Sequence, residues 1–384
     1  MLFVVAALGC DDEPDAAAPP PPVASFRAPS PRTDLAESSR VRALPVIEVD
    51  EPDASRGERA LSHPAAFDLV GTPPGATLIW ATDDTVRALR LSRSGEPERA
   101  VVVARVNGVA EISAAATTER VAAIWIAGDA TLGTAESVLP ELAFGKARPI
   151  GRTESLESAG RGRLHASATG SGSLMALART GDEPCERYDE ASCANFTMLD
   201  LVERRAQRRP GLEVPHPCAR PIAGFAVAGL HWHYAVCHHD GPATKTVLFT
   251  AQQTPSYAQT QELLTGCKPR GITRRGDDIW LSGSCGGEPR AVHVRQLDVT
   301  LGTTTTGADV ACDDDELILL LSGERTALKA DTIGLGALMP SHLVADDARA
   351  VWTGETLIVA RPVGERLVID RHVCRAGALR RSAR

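Results

Sequence analysis

The feature that most restricts the fold of this chain is a hairpin written seven times. A short apolar strand runs into a polar or glycine-containing turn, and a stronger apolar strand follows. The copies occupy 67–82 (FDLVGTPPGATLIWAT), 110–127 (AEISAAATTERVAAIWIA), 165–180, 223–237, 270–284, 308–323 and 349–363. Their turns recur at gaps of roughly 38 to 56 residues, to be set against the roughly 40–50-residue period of an array of small sheets. Between hairpins there is room for two further strands. Residues 86–103 read as strand, turn at Ser94-Gly95 and strand, and 245–253 and 291–300 have the same alternation. Almost nothing recurs at the helical period, so the expectation is an all-β chain with four strands per repeat.

That pattern resembles a β-propeller, and the resemblance implies one propeller of seven four-stranded blades over 43–375. A pair of β-sandwiches is the nearest rival, and it would need a mid-chain linker that the sequence does not contain. Four of the five tryptophans (Trp80, Trp125, Trp232, Trp280) fall in the second strand of a hairpin, where a large ring packs between neighbouring sheets. The resemblance stops at architecture: there is no Trp-Asp blade end, no kelch double glycine and no sialidase Asp-box. After the seventh hairpin comes one more strand, 366–374, and then a basic tail, 376–384. The last repeat therefore lacks a strand, and the orphan segment ALPVIEVDE (43–51) is expected to supply it. A ring closed in this way leaves fewer exposed edges.

Residues 2–8 are apolar and end in Gly9-Cys10. The run is far shorter than the about 20 residues needed to span a bilayer. Ala7-Leu8-Gly9-Cys10 resembles the lipobox of bacterial lipoproteins, which implies a signal peptide over 1–9, cut short at its start, and a lipid on the Cys10 thiol. Residues 11–40 hold seven prolines and six alanines and cannot bury enough apolar surface to fold. Residues 10–42 thus read as a tether. The implied location is the cell envelope, facing the periplasm or the cell surface, with the lipid anchor as the sole membrane contact.

Eight cysteines remain after Cys10, an even number suited to disulfides in an oxidising compartment. Cys218 and Cys237 are symmetric about the fourth hairpin turn, and Cys267 and Cys285 about the fifth, so each pair is expected to bond. Cys185 and Cys193 bracket a polar insertion and are expected to pin it. Cys312 and Cys374 are paired by arithmetic alone.

The formal charge of −8 argues against sequence-independent nucleic-acid binding. Two constellations are candidates for chemistry. On a strand, His231 and His233 share a face, and with His239 or Asp240 beyond the strand end they would suit Zn²⁺ or Cu²⁺. The blander reading is a core strand with hydrogen-bonded histidines and a polar loop. Acidic turns recur at 83–84, 277–278, 313–316 and 346–347. They would offer oxygen ligands to Ca²⁺ or an acidic patch to a basic partner, or are simply solvated turns. There is no P-loop, HExxH or G-x-S-x-G. The reading is a monomeric binding scaffold without cofactor, presenting a rim or central channel to an envelope protein or glycan. The alternative is an envelope hydrolase or lyase with a metal-assisted site at the channel mouth.

Overall fold

In the computed structural model the described residues are 42–48, 66–153, 164–168, 172–183, 193–203, 205–228, 231–240, 243–252, 258–265, 267–275, 278–285, 288–294, 301–306, 308–313, 316–321, 326–329, 348–363 and 366–373. Every regular element among them is a β-strand, and all pairing is antiparallel.

Each of the seven hairpins opens one sheet. The first sheet runs Phe67–Thr72, Gly75–Ala81, Thr85–Leu91, Pro97–Arg105. The second runs Glu111–Ala116, Arg120–Ile126, Thr131–Val138, with a broken outer strand made of Ala143–Phe144 and Arg148–Arg152. The third comprises Leu164–Ala168, Leu174–Glu183, Cys193–Asp200 and Arg205–Pro215. Pro217–Ala228, His231–Asp240, Ala243–Gln252 and Ala258–Thr265 form the fourth. Cys267–Arg275, Asp278–Cys285, Glu288–Val294 and Leu301–Thr306 form the fifth. The sixth has three described strands, Ala308–Asp313, Glu316–Leu321 and Thr326–Lys329. The seventh is Arg349–Trp352, Thr356–Val363, Arg366–Val373, completed on its outer side by Arg42–Glu48. That N-terminal strand lies antiparallel to the last one, Arg42 opposite Val373 and Glu48 opposite Val368, with an irregularity between Leu44 and Ile47.

Opening strands of neighbouring sheets touch: first to second, second to third, third to fourth, fourth to fifth, and seventh to first. This explains the residue pattern. Gly75–Ala81 is buried along its whole length, as is Glu111–Ala116, because each lies between two other sheets. Such strands carry continuous apolar runs instead of alternation. Opening strands crowd together, hence small side chains such as Ala114, Ala115 and Ala116. The outer strand Pro97–Arg105 is exposed over its first half and polar there.

Two apolar clusters show the packing. Trp125, from the second sheet, is buried among Ile79, Val86 and Val103 of the first. Trp80 and Phe67, from the first, are buried with Val351, Ile358 and Ile369 of the seventh. Each large buried side chain contributes roughly 1.5–3 kcal/mol.

One expectation is corrected here. The second strand of the fourth sheet continues through Asp240, paired residue by residue with Ala243–Gln252. The segment 238–240, read from its polarity as a loop, is held in the ladder by its partner strand.

Candidate functional site

The described polar chemistry gathers on the opening strands, where the free edge of one sheet faces the side chains of the next. An edge strand leaves backbone N–H groups without a ladder partner, and such groups must be satisfied when buried. Here a neighbouring side chain does it. Asp68 of the first sheet accepts through Oδ2 from the Ala114 N–H (2.8 Å) and from the Ser113 hydroxyl (3.1 Å) of the second. Ser113 in turn accepts from the Ala166 N–H of the third sheet (2.9 Å). Glu111, buried beside it, accepts from the Leu164 N–H (3.3 Å). On the other side, Arg349 of the seventh sheet pairs with Asp68, Nε to Oδ1 at 3.5 Å. The result is one polar belt across four sheets.

Asp68 is the centre of the belt. Its Oδ1 also accepts from the Leu69 N–H (2.9 Å). Burial pushes its pKa above the ordinary 3.8, and the Arg349 charge and the hydrogen bonds from Ala114, Leu69 and Ser113 pull against that rise. A carboxylate so fully engaged acts as a joint between strands. Arg349 is the outward part of the group: its side chain is 44% exposed, and its guanidinium carbon lies 5.8 Å from the Phe67 ring centroid. Sequence reasoning passed over these residues. The available signal was a charged or hydroxyl residue early in a mainly apolar opening strand: Asp68 in the first, Glu111 and Ser113 in the second and Arg349 in the seventh.

At the opposite end of the same strands, a cleft of about 220 Å³ lies across the boundary of the first and seventh sheets. It is lined by the Gly71–Gly75 turn, which includes Pro73 and Pro74, and by Arg93 and Thr353. The Thr353 hydroxyl donates to the Arg93 carbonyl (2.6 Å), and Arg93 Nε stands 3.9 Å from Glu355 Oε2.

The sequence-derived candidates fare as follows. Cys218 and Cys237 form a disulfide, with Cα atoms 5.4 Å apart. Cys193 is disulfide-bonded; Cys10, Cys185 and Cys374 lie outside the described residues. Cys267 stands directly opposite Cys285 in register. The side chains of Cys267, Cys285 and Cys312 lie outside the described residues, and so do those of His231, His233, His239 and Asp240. The backbone bears on that last group. Because the strand is unbroken, His239 is six positions from His233, about 20 Å at the rise of a strand, and Asp240 has the opposite parity. A single ion cannot take ligands from both ends of it.

Asp83-Asp84 forms a turn at the end of the first sheet away from the cleft, with Asp84 Oδ1 accepting from the Thr82 hydroxyl (3.3 Å). Asp278 opens a strand and Asp313 stands opposite Glu316, so these two turns do lie at hairpin tips. Asp277, Asp314, Asp315, Asp346 and Asp347 lie outside the described residues. Among the described residues, no three His, Cys, Asp or Glu side chains come together, and no helix is long and apolar enough to cross a membrane.

No protein-family model matches this chain, and no curated protein matches it. Among solved structures it is similar to the Dos1 propeller, at 9% identity over 77% of this chain and 75% of that one, TM-score 0.43. It is also similar to the AfRom2 CNH domain, at 11% identity over 85% and 98%, TM-score 0.41. A third is the SapL1 lectin solved with alpha methyl fucoside, at 11% identity over 79% and 95%, TM-score 0.41. Over its described residues the chain is all-β by its own strands, and the Dos1 structure it is similar to is a propeller.

Proposed function

We propose that this chain is an exported, lipid-anchored binding module of the cell envelope. Cys10 carries the lipid, residues 10–42 form the tether, and residues 43–375 form a seven-bladed propeller whose last blade is completed by Arg42–Glu48. The pairing of that strand with Arg366–Val373 supports the closure. The Cys218–Cys237 disulfide supports export, because such bonds persist in oxidising compartments. The observation that carries the binding role is the cleft between the first and seventh sheets. It offers Pro73 and Pro74, with the exposed Arg93 beside them, to a protein or glycan of the envelope.

The test uses the full chain in bacterial cells. A photo-crosslinking residue replaces Pro74 in the cleft or, as a remote control, the exposed Val138. A discrete adduct from position 74 and none from 138 is the expected result. An adduct from 138 alone would move the contact surface elsewhere and end the cleft assignment. In the same cells, Cys10→Ala is expected to shift the protein from the detergent phase to the soluble fraction and to remove the lipid mass. A wild type that is already soluble and unlipidated would refute the anchor.

A further inference from the structure

Three turns meet at the cleft between the first and seventh sheets. One joins Phe67–Thr72 to Gly75–Ala81 and carries Pro73 and Pro74. A second, Ser92–Glu96, joins the third and fourth strands of the first sheet and carries Arg93. The third, 353–355, joins Arg349–Trp352 to Thr356–Val363. Direct contacts hold them together. The Thr353 hydroxyl donates to the Arg93 carbonyl (2.6 Å). Gly75 is pressed on the end of the third strand: a Cβ there would stand 2.0 Å from the Leu91 carbonyl oxygen. Gly354, at φ +85°, leaves the space that the Arg93 guanidinium takes, since a Cβ there would stand 3.0 Å from its Nη2. The walls of the cleft are thus fixed by the protein's own contacts.

The lining side chains are short of hydrogen-bonding groups. Pro73 and Pro74 have no N–H. The Thr72 hydroxyl is buried and bonded to that of Thr77 (2.9 Å). The Thr353 hydroxyl, also buried, accepts from the Thr356 N–H (3.1 Å) besides its bond to Arg93. Arg93 is what remains. Its side chain is 58% exposed, and its Nε stands 3.9 Å from Glu355 Oε2, beyond hydrogen-bond length. A sugar brings many hydroxyls, and each one buried without a partner is costly. A hydrocarbon side chain needs no partner and gains by covering the proline rings. At about 220 Å³ the cleft is below the roughly 300–1,000 Å³ of sites that enclose a small molecule, so it suits one side chain of a longer ligand. The cation adds a preference for a carboxylate close to that side chain.

We propose that the cleft takes protein and not glycan. Its occupant is an acidic peptide segment, with an apolar side chain on Pro73 and Pro74 and a neighbouring carboxylate on Arg93. This rests on the binding role assigned to the cleft above and narrows it to one class of partner. The carboxylate belongs either to a chain end or to an Asp or Glu side chain.

Saturation-transfer NMR on the full chain tests this with four probes. Acetyl-leucine has a terminal carboxylate, and acetyl-leucyl-aspartyl amide has a side-chain one. Acetyl-leucinamide has none, and glucuronic acid is an acidic sugar. At least one of the first two is expected to bind, and which one does identifies the source of the carboxylate. The neutral amide and the sugar are expected to bind roughly five- to tenfold more weakly, and Arg93→Gln should weaken the acidic peptide probe to the same degree. Glu355→Gln, which removes a competing carboxylate, should tighten that probe, a gain that general damage to the fold would not produce. Equal binding of the amide, or a preference for the sugar, would overturn the inference. So would an Arg93→Gln protein that binds like wild type, or a Glu355→Gln protein that binds more weakly. Silence of all four probes would overturn it too. An adduct still formed from position 74 in cells would then leave the cleft as a binding site, and no adduct would remove both readings.

Discussion

At the scale of single residues, the belt shows how one carboxylate joins strands that share no ladder. Asp68 satisfies a buried edge N–H on the second sheet while holding a guanidinium from the seventh. Because burial raises its pKa, the folded protein binds a proton there more tightly than the unfolded chain does. Stability from this group is therefore fully present below the ordinary value of 3.8 and is lost as pH rises through the higher folded value. Asp68→Asn removes that titration. It also places an amide against donors at Ser113 and Ala114, at a cost of about 1–3 kcal/mol. Urea midpoints followed against pH should show the wild type losing part of its advantage over Asp68→Asn as pH rises above 3.8. Parallel curves would mean that Asp68 does not titrate as its burial requires.

At the scale of strands and sheets, the repeat was legible because it is local. Each hairpin writes its own turn and its own apolar run, and all seven copies open a sheet. The disulfide between Cys218 and Cys237 was legible for the same reason, since symmetry about a turn is a local property. The extent of His231–Asp240 was not, because its last three residues are polar and are kept in the ladder by Lys245, Thr244 and Ala243 opposite. The belt was hidden more deeply. It depends on which side chain faces which edge across two sheets, and no short-range pattern encodes that. Close packing across strands is likewise visible only in three dimensions. Gly133 stands opposite Trp125, and a Cβ on it would lie 2.4 Å from the indole nitrogen. Gly133→Val should therefore displace the ring and destabilise the protein by about 1–3 kcal/mol. An unchanged thermal midpoint would show that the indole can shift freely.

At the scale of the whole molecule, the first and last described strands share one sheet. Each sheet then stabilises its neighbours, as in other repeat arrays, and the outer strand Arg42–Glu48 covers what would otherwise be the bare edge of Arg366–Val373. Deleting residues 42–48 from the full chain should lower the urea midpoint by the equivalent of about 2–5 kcal/mol and promote self-association through the uncovered edge. A midpoint and a size-exclusion profile equal to wild type would show that this strand adds nothing to the seventh sheet.

The belt also restricts how such a molecule can change over generations. At two successive joints its hydrogen bonds run in one direction: Asp68 of the first sheet receives a backbone N–H of the second, and Glu111 and Ser113 of the second receive those of the third. A repeat duplicated or transplanted without its leading acceptor would leave its successor's buried amides bare. Gene-level shuffling of these units is therefore constrained by grammar as well as by shape: a repeat survives relocation only when it carries the polar residue that the next one needs.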